Sequence, residues 1–430
     1  MTARACSLPL WFSRALPRII AASLLLCLAG NSAAVSNSGG SWEWRGRLQH
    51  RYGVDMHDTS TAVLNDTLLD GELKYRYGPD WQLDTILRAR HEDRLQDHSY
   101  QDLSLREFII DHQAEDYSLH LGRQQVVWGK TDGLRLLDVV NPLDLREFVL
   151  DQYSDSRIPL WMANVEWFGA QDSVQALIIP DTTVHHLATE DSRFYIGPDV
   201  PAGLQVTSQP VKEPPTTVDN WQYGLKWAGQ RGGWDLTLNA LYGWNQTPVY
   251  FYQQTGALSL ELQPEIRRRR TFGASGDLPL GHTVLRFEVA FSPDEYLMVA
   301  DPTAERGYRR QNQLSVAMGL DWTLNNWLIS PQWFQERLIN PDANVQGVQS
   351  KDYVTLLVNR KFLQDRLEFR AFYLYGPANH EQWFAPALSY QIAGRYEFSL
   401  KADIFQGPSN TLFGQFSAND RLVLGLKIYI

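Results

Sequence analysis

Residues 366–375, RLEFRAFYLY, put Leu367, Phe369, Ala371, Tyr373 and Tyr375 in one register and Arg366, Glu368 and Arg370 in the other. Residues 395–404, RYEFSLKADI, repeat the pattern, with Tyr396, Phe398, Leu400, Ala402 and Ile404 set against Arg395, Glu397, Ser399, Lys401 and Asp403. A β-strand sends successive side chains to opposite faces, so a period of two makes one apolar and one polar surface. The alternation recurs near residues 42–53, 67–77, 81–92, 103–112, 117–126, 160–168, 173–179, 218–228 and 234–244. It continues near 268–278, 282–291, 311–322, 327–338, 351–362, 383–392 and 421–430. Short connections such as Gly78-Pro79-Asp80, Asn325-Asn326 and Ala393-Gly394 alternate with long ones at 128–159, 180–217, 245–266 and 292–310. Short turns alternating with long loops predict an all-β, transmembrane antiparallel β-barrel of about 18 strands. Because 245–266 is able to hide a hairpin and 173–179 is short, about 16 is the other count. A soluble sandwich with the apolar set facing a core is the competing reading.

The N-terminal segment argues against the sandwich. Arg4, Arg14 and Arg18 precede an apolar run, Ile19 to Gly30, and Ser32-Ala33-Ala34 offers small residues for cleavage. This predicts a secretory signal peptide over 1–34, its run too short for the roughly 20 residues of a spanning helix. Residues 35–430 are then the barrel. Both cysteines, Cys6 and Cys27, fall in the leader, and Leu24-Leu25-Leu26 before Cys27 lacks the small residues of a lipid-anchor site. Disulfides therefore play no part in the mature fold. The formal charge of −10 becomes more negative once the leader's arginines are lost, which excludes nucleic acid as a partner. With 15 Trp, 19 Tyr and 18 Phe, the chain is rich in aromatics yet lacks a second long apolar run. Export with these features places it in the outer membrane of a Gram-negative bacterium, against lipid and lipopolysaccharide. The C-terminal GLKIYI resembles the signal read by the barrel-assembly machinery, departing from it in ending on Ile430 rather than an aromatic residue.

If the apolar face meets hydrocarbon, the polar face lines a bore. Closure brings the first and last strands together, so Arg45, Arg47, Arg51, Arg395, Lys401, Arg421 and Lys427 are expected on one basic wall. Such a wall favours anionic or polyhydroxyl solutes. The alternative is that these cations pair with acids across strands and stiffen a wet surface. In the run Ile266 to Arg270, Arg267 and Arg269 are expected inward; Arg268 and Arg270 face outward at the external rim, near lipopolysaccharide phosphates or simply solvated.

One stretch, Gly122 to Phe148 (GRQQVVWGKTDGLRLLDVVNPLDLREF), breaks the alternation. Asn141 before Pro142, with Asp144 following, reads as the start of a short helix. The loop 128–159, with this length and apolar content, is expected to fold into the bore as a constriction or plug, and a surface lid is the alternative. There, Arg123, Lys130, Asp132, Arg135, Asp138, Asp144 and Arg146 form a candidate constriction. The residues Gly122, Arg123, Gln124, Trp128, Gly129, Asn141, Pro142 and Asp144 resemble a signature of a sparsely characterised family of Gram-negative porin-like outer-membrane proteins. The strand end Leu121-Gly122-Arg123-Gln124 is also similar to that of other porins and of the alginate-export barrel. The resemblance implies a pore with an inward-turned segment and names no solute.

Enzymatic sites are thinly represented. No His has Ser two residues on, and Asp97-His98 and Asp111-His112 map to opposite ends of the barrel. His185-His186 with Asp181, Glu190 and Asp191 form a loose metal candidate, solvated loop residues being the default reading. No cofactor is implied. A pore or exporter for polar, anionic solutes or polymers is the leading function, and a non-conducting structural barrel is the alternative. Homo-oligomerisation is left open.

Overall fold

The computed structural model describes residues 35–37, 40–93, 99–131, 133–197, 205–256, 259–299, 308–345 and 349–430. The leader and Asp132 lie outside them. Among the described residues one sheet holds 19 strands, of which the three-residue Val35–Asn37 only pairs antiparallel with the start of the first wall strand. The wall strands are β1 Gly40–Asp55, β2 Ala62–Tyr77, β3 Trp81–Asp93, β4 Ser99–Gln113, β5 Tyr117–Gln124 and β6 Leu160–Phe168. Next come β7 Asp172–Ile179, β8 Gln222–Arg231, β9 Trp234–Trp244, β10 Arg268–Leu280, β11 Thr283–Met298 and β12 Tyr308–Leu324. The last are β13 Trp327–Ile339, β14 Ser350–Phe362, β15 Leu367–Gly376, β16 Glu381–Ile392, β17 Tyr396–Gln406 and β18 Arg421–Tyr429. Each pairs antiparallel with its neighbours, and β18 returns to β1 from Asp55↔Arg421 to Arg47↔Tyr429. Gly46 and Ile430 complete that seam by exchanging backbone hydrogen bonds of 2.8 and 2.9 Å. The barrel is closed.

The larger count holds for a physical reason. Residues 245–266 do contain a hairpin, Val249–Gly256 with Ser259–Glu265, but it stands off the wall in a separate three-stranded sheet with Gln205–Ser208. The short β7 is a full wall member, pairing with β6 and β8. At one mouth the turns are tight. Asn325 and Asn326 link β12 to β13 with φ of 48° and 65°, the left-handed pair that a two-residue hairpin needs and asparagine tolerates.

The outward residues are the apolar ones. Leu103 is 80 % exposed, Leu424 57 % and Leu238 56 %, values that make sense only against hydrocarbon. Tyr77, Trp81, Trp167 and Trp322 are also exposed and cluster at strand ends beside the tight turns, as an interfacial aromatic girdle does.

Inside, the barrel is not a uniformly polar tube. Residues 125–159 leave β5, fold into the bore and return to β6, and three buried apolar clusters join this segment to the wall. Val126, Trp128 and Val140 pack on Leu160, Met162, Leu177 and Ile179. Leu136 and Leu137 pack on Ala290, Ala317 and Phe334. Phe148 and Leu150 meet a larger aromatic cluster that includes Phe372, Trp383, Phe405 and Phe413. Gly224 on β8 leaves space for the Trp128 ring, since a Cβ there would lie 2.8 Å from it.

The helix expected at Asn141 is absent. Asn141, fully buried, spends its side chain on the two stems of the segment instead: Oδ1 accepts from Val126 N–H at 2.7 Å, and Nδ2 donates to Ile158 O at 2.9 Å and Gln124 O at 3.2 Å. Those bonds hold the backbone extended after Pro142. Asp144–Leu145 then adds to His186–Leu187 as a two-stranded parallel ribbon. The one helical turn comes later, at Tyr153–Ser156.

Candidate functional site

The site is the bore and the segment that fills it. Two sets of contacts hold that segment, one on each side of the barrel. On the β10–β11 side the anchor is Glu288, wholly buried and facing inward from β11 on the same face as Arg286. Its carboxylate accepts the backbone N–H groups of Lys130, Thr131 (2.9 Å) and Leu137 (3.2 Å), closing one turn of the segment around a single side chain. Lys130 Nζ binds Asp277, and Arg286 donates to Lys130 O at 3.1 Å. Nothing in the alternation marks Glu288 as an anchor. Its only signal is an acid at an inward position of β11, flanked by apolar residues.

On the opposite side the contacts are ionic. Arg47 on β1 and Arg88 on β3 both donate to Asp155 Oδ1, at 2.8 and 3.0 Å. Arg51 binds Asp151, and Arg90 reaches Asp144 at 3.3 Å. Arg421 on β18 binds Glu147 at 2.6 Å, and Lys401 on β17 donates to Leu150 O at 2.8 Å. Arg106, at a bulge in β4, donates to Ser154 O at 2.6 Å and Arg157 O at 3.1 Å. Behind these contacts stand wall acids: Asp70 under Arg47 and Arg88, Asp66 under Arg51 and Arg90, and Asp403 under Arg421 and Lys401. Wall carboxylates position the guanidinium groups across strands, and the guanidinium groups turn their remaining N–H groups to the segment.

The candidate residues do not all gather. Among the wall set, Arg47, Arg51, Lys401 and Arg421 surround the segment. Lys427 pairs with Glu397 at 3.1 Å nearer the short-turn mouth. Arg45 pairs with Glu43 on an exposed stretch of β1. Arg395 falls in the exposed turn before β17 rather than on the strand, because Ala393 and Gly394 take positive φ and end the pairing there. Among the constriction set, Arg123 is misplaced. It sits opposite Trp161, which is exposed on the outer face, and its guanidinium caps Leu105 O and Pro159 O at 2.8 and 3.1 Å. Arg135 and Asp138 pair within the segment, and Arg157 joins the same carboxylate at 2.6 Å. Arg146 pairs with Asp144 and lies 4.0 Å from the centre of the Tyr100 ring. Arg267 to Arg270 take the alternating faces expected of them: Arg269 pairs inward with Glu295 at 3.1 Å, and Arg268 stacks 3.8 Å over Trp244 at the rim.

Beneath the segment, toward the short-turn mouth, a cavity of about 600 Å³ remains, lined by Arg51, Arg88, Asp151, Glu368, Arg370 and Lys427 among others. Its walls carry both charges and the apolar edges of Leu68, Phe372 and Trp383.

Burial alone would raise Asp151 and Asp155. Arg51 and Arg90 outweigh it for the first, and Arg47 and Arg88 for the second, so both carboxyls sit below the usual carboxylate range. Each stays ionised at neutral pH; its contribution is full above the ordinary carboxylate range and is lost progressively as pH falls through that range toward the depressed value.

The proposed metal ligands are otherwise engaged. His185 Nδ1 accepts the Leu143 N–H at 2.7 Å, and Asp181 accepts from Trp161 and Thr183 N–H groups. Among the described residues no three His, Cys, Asp or Glu come together as a metal site. Asp97-His98 lies outside the described residues, and His112 stacks on Trp81 with centroids 4.3 Å apart.

Burial, with Arg135 adding to it, pushes His185 down to about 3 from an ordinary 6.5. A depressed histidine resists protonation in the docked state, so its contact is intact above about pH 6.5 and weakens as pH falls toward about 3. Going from about pH 7.5 to about pH 5 is expected to cost this contact about 2 kcal/mol. In planar bilayers, acid should therefore raise conductance. His185→Asn, which keeps an acceptor but does not titrate, should abolish that rise; a variant with the same acid response refutes the assignment.

Comparison with known proteins places the chain. Residues 88–403 match the family model described as a protein of unknown function, DUF1302. The chain belongs to that family. The DUF1302 match spans β3 to β17, and so includes the whole inward segment and the arginines of β3. No curated protein matches the chain. Among solved structures it is similar to Acinetobacter baumannii OccAB3 (11 % identity, TM-score 0.52), with 90 % of this chain and 99 % of that one covered. It is also similar to Pseudomonas aeruginosa OccK8 (OprE), at 13 % identity and TM-score 0.51, covering 90 % of this chain and 98 % of that one. A third is Pseudomonas aeruginosa OccK2 (OpdF), solved in complex with glucuronate, at 12 % identity and TM-score 0.50, covering 91 % and 98 %. At these identities the likeness shows the fold: an outer-membrane, porin-like β-barrel. The alginate-export likeness rests on Leu121-Gly122-Arg123-Gln124 alone.

Proposed function

We propose that this DUF1302 chain is an outer-membrane pore for polar, anionic solutes, exported through a cleaved leader and narrowed by residues 125–159. The observation that carries the reading is the row Arg47, Arg51, Arg88 and Arg90, oriented by Asp66 and Asp70 so that each guanidinium offers N–H groups to the bore. The same cations dock the segment, and an anionic solute is the other partner that such oriented forks suit. Support by analogy comes from the OccK2 structure, whose bound glucuronate is a carboxylate. Arg268 and Arg270 at the rim would meet lipopolysaccharide phosphates, and a trimer or dimer would leave the bore unchanged.

The test is ion selectivity. Arg47→Gln with Arg51→Gln leaves Asp66 and Asp70 under-neutralised, so the reversal potential in a salt gradient should move toward cation preference. An unchanged reversal potential removes the anion reading. A second reading, a barrel without conductance, is favoured by how completely the segment meets the wall on both sides. Silence of the chain in bilayers, with or without the segment, would select it.

A further inference from the structure

The inward arginines and the acids of residues 144–155 fit each other in a way that simple packing does not require. Each of Arg47, Arg51, Arg88, Arg90 and Arg421 divides its guanidinium, part on a wall acid and part on a carboxylate of the segment. The wall acids set the fork in place, and the segment fills the side that faces the bore. Without the segment, Arg47, Arg51, Arg88, Arg90, Lys401 and Arg421 would outnumber the wall acids beside them, Asp66, Asp70, Glu92 and Asp403. The segment restores the balance with Asp144, Glu147, Asp151 and Asp155 against Arg146. The carboxylates come from one short stretch and spread over β1, β3 and β18. They therefore present an array rather than a point charge.

We infer that the arginine wall is a binding site for polycarboxylates, and that the segment's own carboxylates occupy it as an internal competitor. This rests on the pore reading above and adds its regulation. A solute with several carboxylates replaces the Asp151 and Asp155 contacts at once and frees the 151–156 turn from the wall. A monocarboxylate replaces one contact and leaves the others holding. The apolar anchoring of the segment, Phe148 and Leu150 included, and its Glu288 contacts stay intact, so the turn swings without leaving the bore.

Thiol accessibility tests this in the reconstituted chain. The only cysteines, Cys6 and Cys27, precede residue 35, so Ser156→Cys in residues 35–430 introduces a single thiol. Ser156 is buried in the helical turn, next to Asp155. A membrane-impermeant thiol reagent should label it slowly in chloride, about tenfold faster with citrate, and no faster with acetate at matched ionic strength. In Asp151→Asn/Asp155→Asn the labelling should be fast from the start and citrate should add nothing. Equal effects of citrate and acetate, or none from either, overturn the proposal without any need of the double variant. Its failure is separable from failure of the pore reading: conductance on removing the segment together with a flat citrate response refutes only this inference. A citrate response in a barrel that stays electrically silent refutes only the pore.

Discussion

Removing residues 128–157 and closing the ends is expected to raise single-channel conductance by about an order of magnitude, because a barrel of this strand number encloses an aqueous bore once nothing fills it. The join is geometrically simple, since Gln124 and Leu160 are paired neighbours on β5 and β6. The barrel should survive. Taking one partner from a buried ion pair strands the other at a cost of about 3–5 kcal/mol, but here the whole array leaves together and water enters to solvate the arginines. What remains is an apolar cost: Phe372, Leu374, Trp383 and Phe405 lose their cover and face water, at about 25 cal/mol per Å² exposed. The shortened chain should therefore conduct strongly and melt at a lower temperature than the full one. A shortened chain with unchanged conductance would mean that the segment does not obstruct the bore.

Glu288→Ala should give the second-largest effect. The substitution leaves the N–H groups of Lys130, Thr131 and Leu137 without their shared acceptor, and each buried unmet donor costs about 1–3 kcal/mol. Lys130 and Arg135 lie in the turn that Glu288 closes. Trypsin should then cut after them about tenfold faster or more, with a smaller rise in conductance than full removal gives. Glu288→Gln should behave like Glu288→Ala rather than like the parent, because its amide brings donors toward donors and keeps a single acceptor oxygen. Unchanged proteolysis in both variants would show that the apolar clusters hold the segment without Glu288.

The strands were legible because hydrocarbon imposes a strict rule on every second residue, and β15 and β17 obey it residue by residue. The inward segment was legible as an interruption but not in detail. Its helix start failed because the Asn141 side chain is spent on three backbone groups of the two stems, which a local capping rule does not see. The basic wall was legible as a set of inward positions. Its pairing was not, since Arg47 meets Asp155 across 108 residues and Arg421 meets Glu147 across 274. A signal for the plug did exist. Where the segment covers the wall, strands are apolar on both faces, as in Phe372-Tyr373-Leu374-Tyr375 and Leu177-Ile178-Ile179. Runs of that kind inside an alternating strand mark an inner face hidden from water. Glu288 and the outward turn of Arg123 left no comparable trace.

A cysteine scan along β15, from Leu367 to Gly376, in lipid vesicles tests the central claim directly. Lipid-soluble quenchers should reach labels at Phe369, Ala371 and Tyr373, and water-soluble reagent should reach Glu368 and Arg370. Leu374, fully buried under the segment, should resist both until residues 128–157 are removed. Water access at Leu374 in the full chain, or access without alternation along the strand, would contradict a lipid-facing barrel whose bore is filled by its own chain.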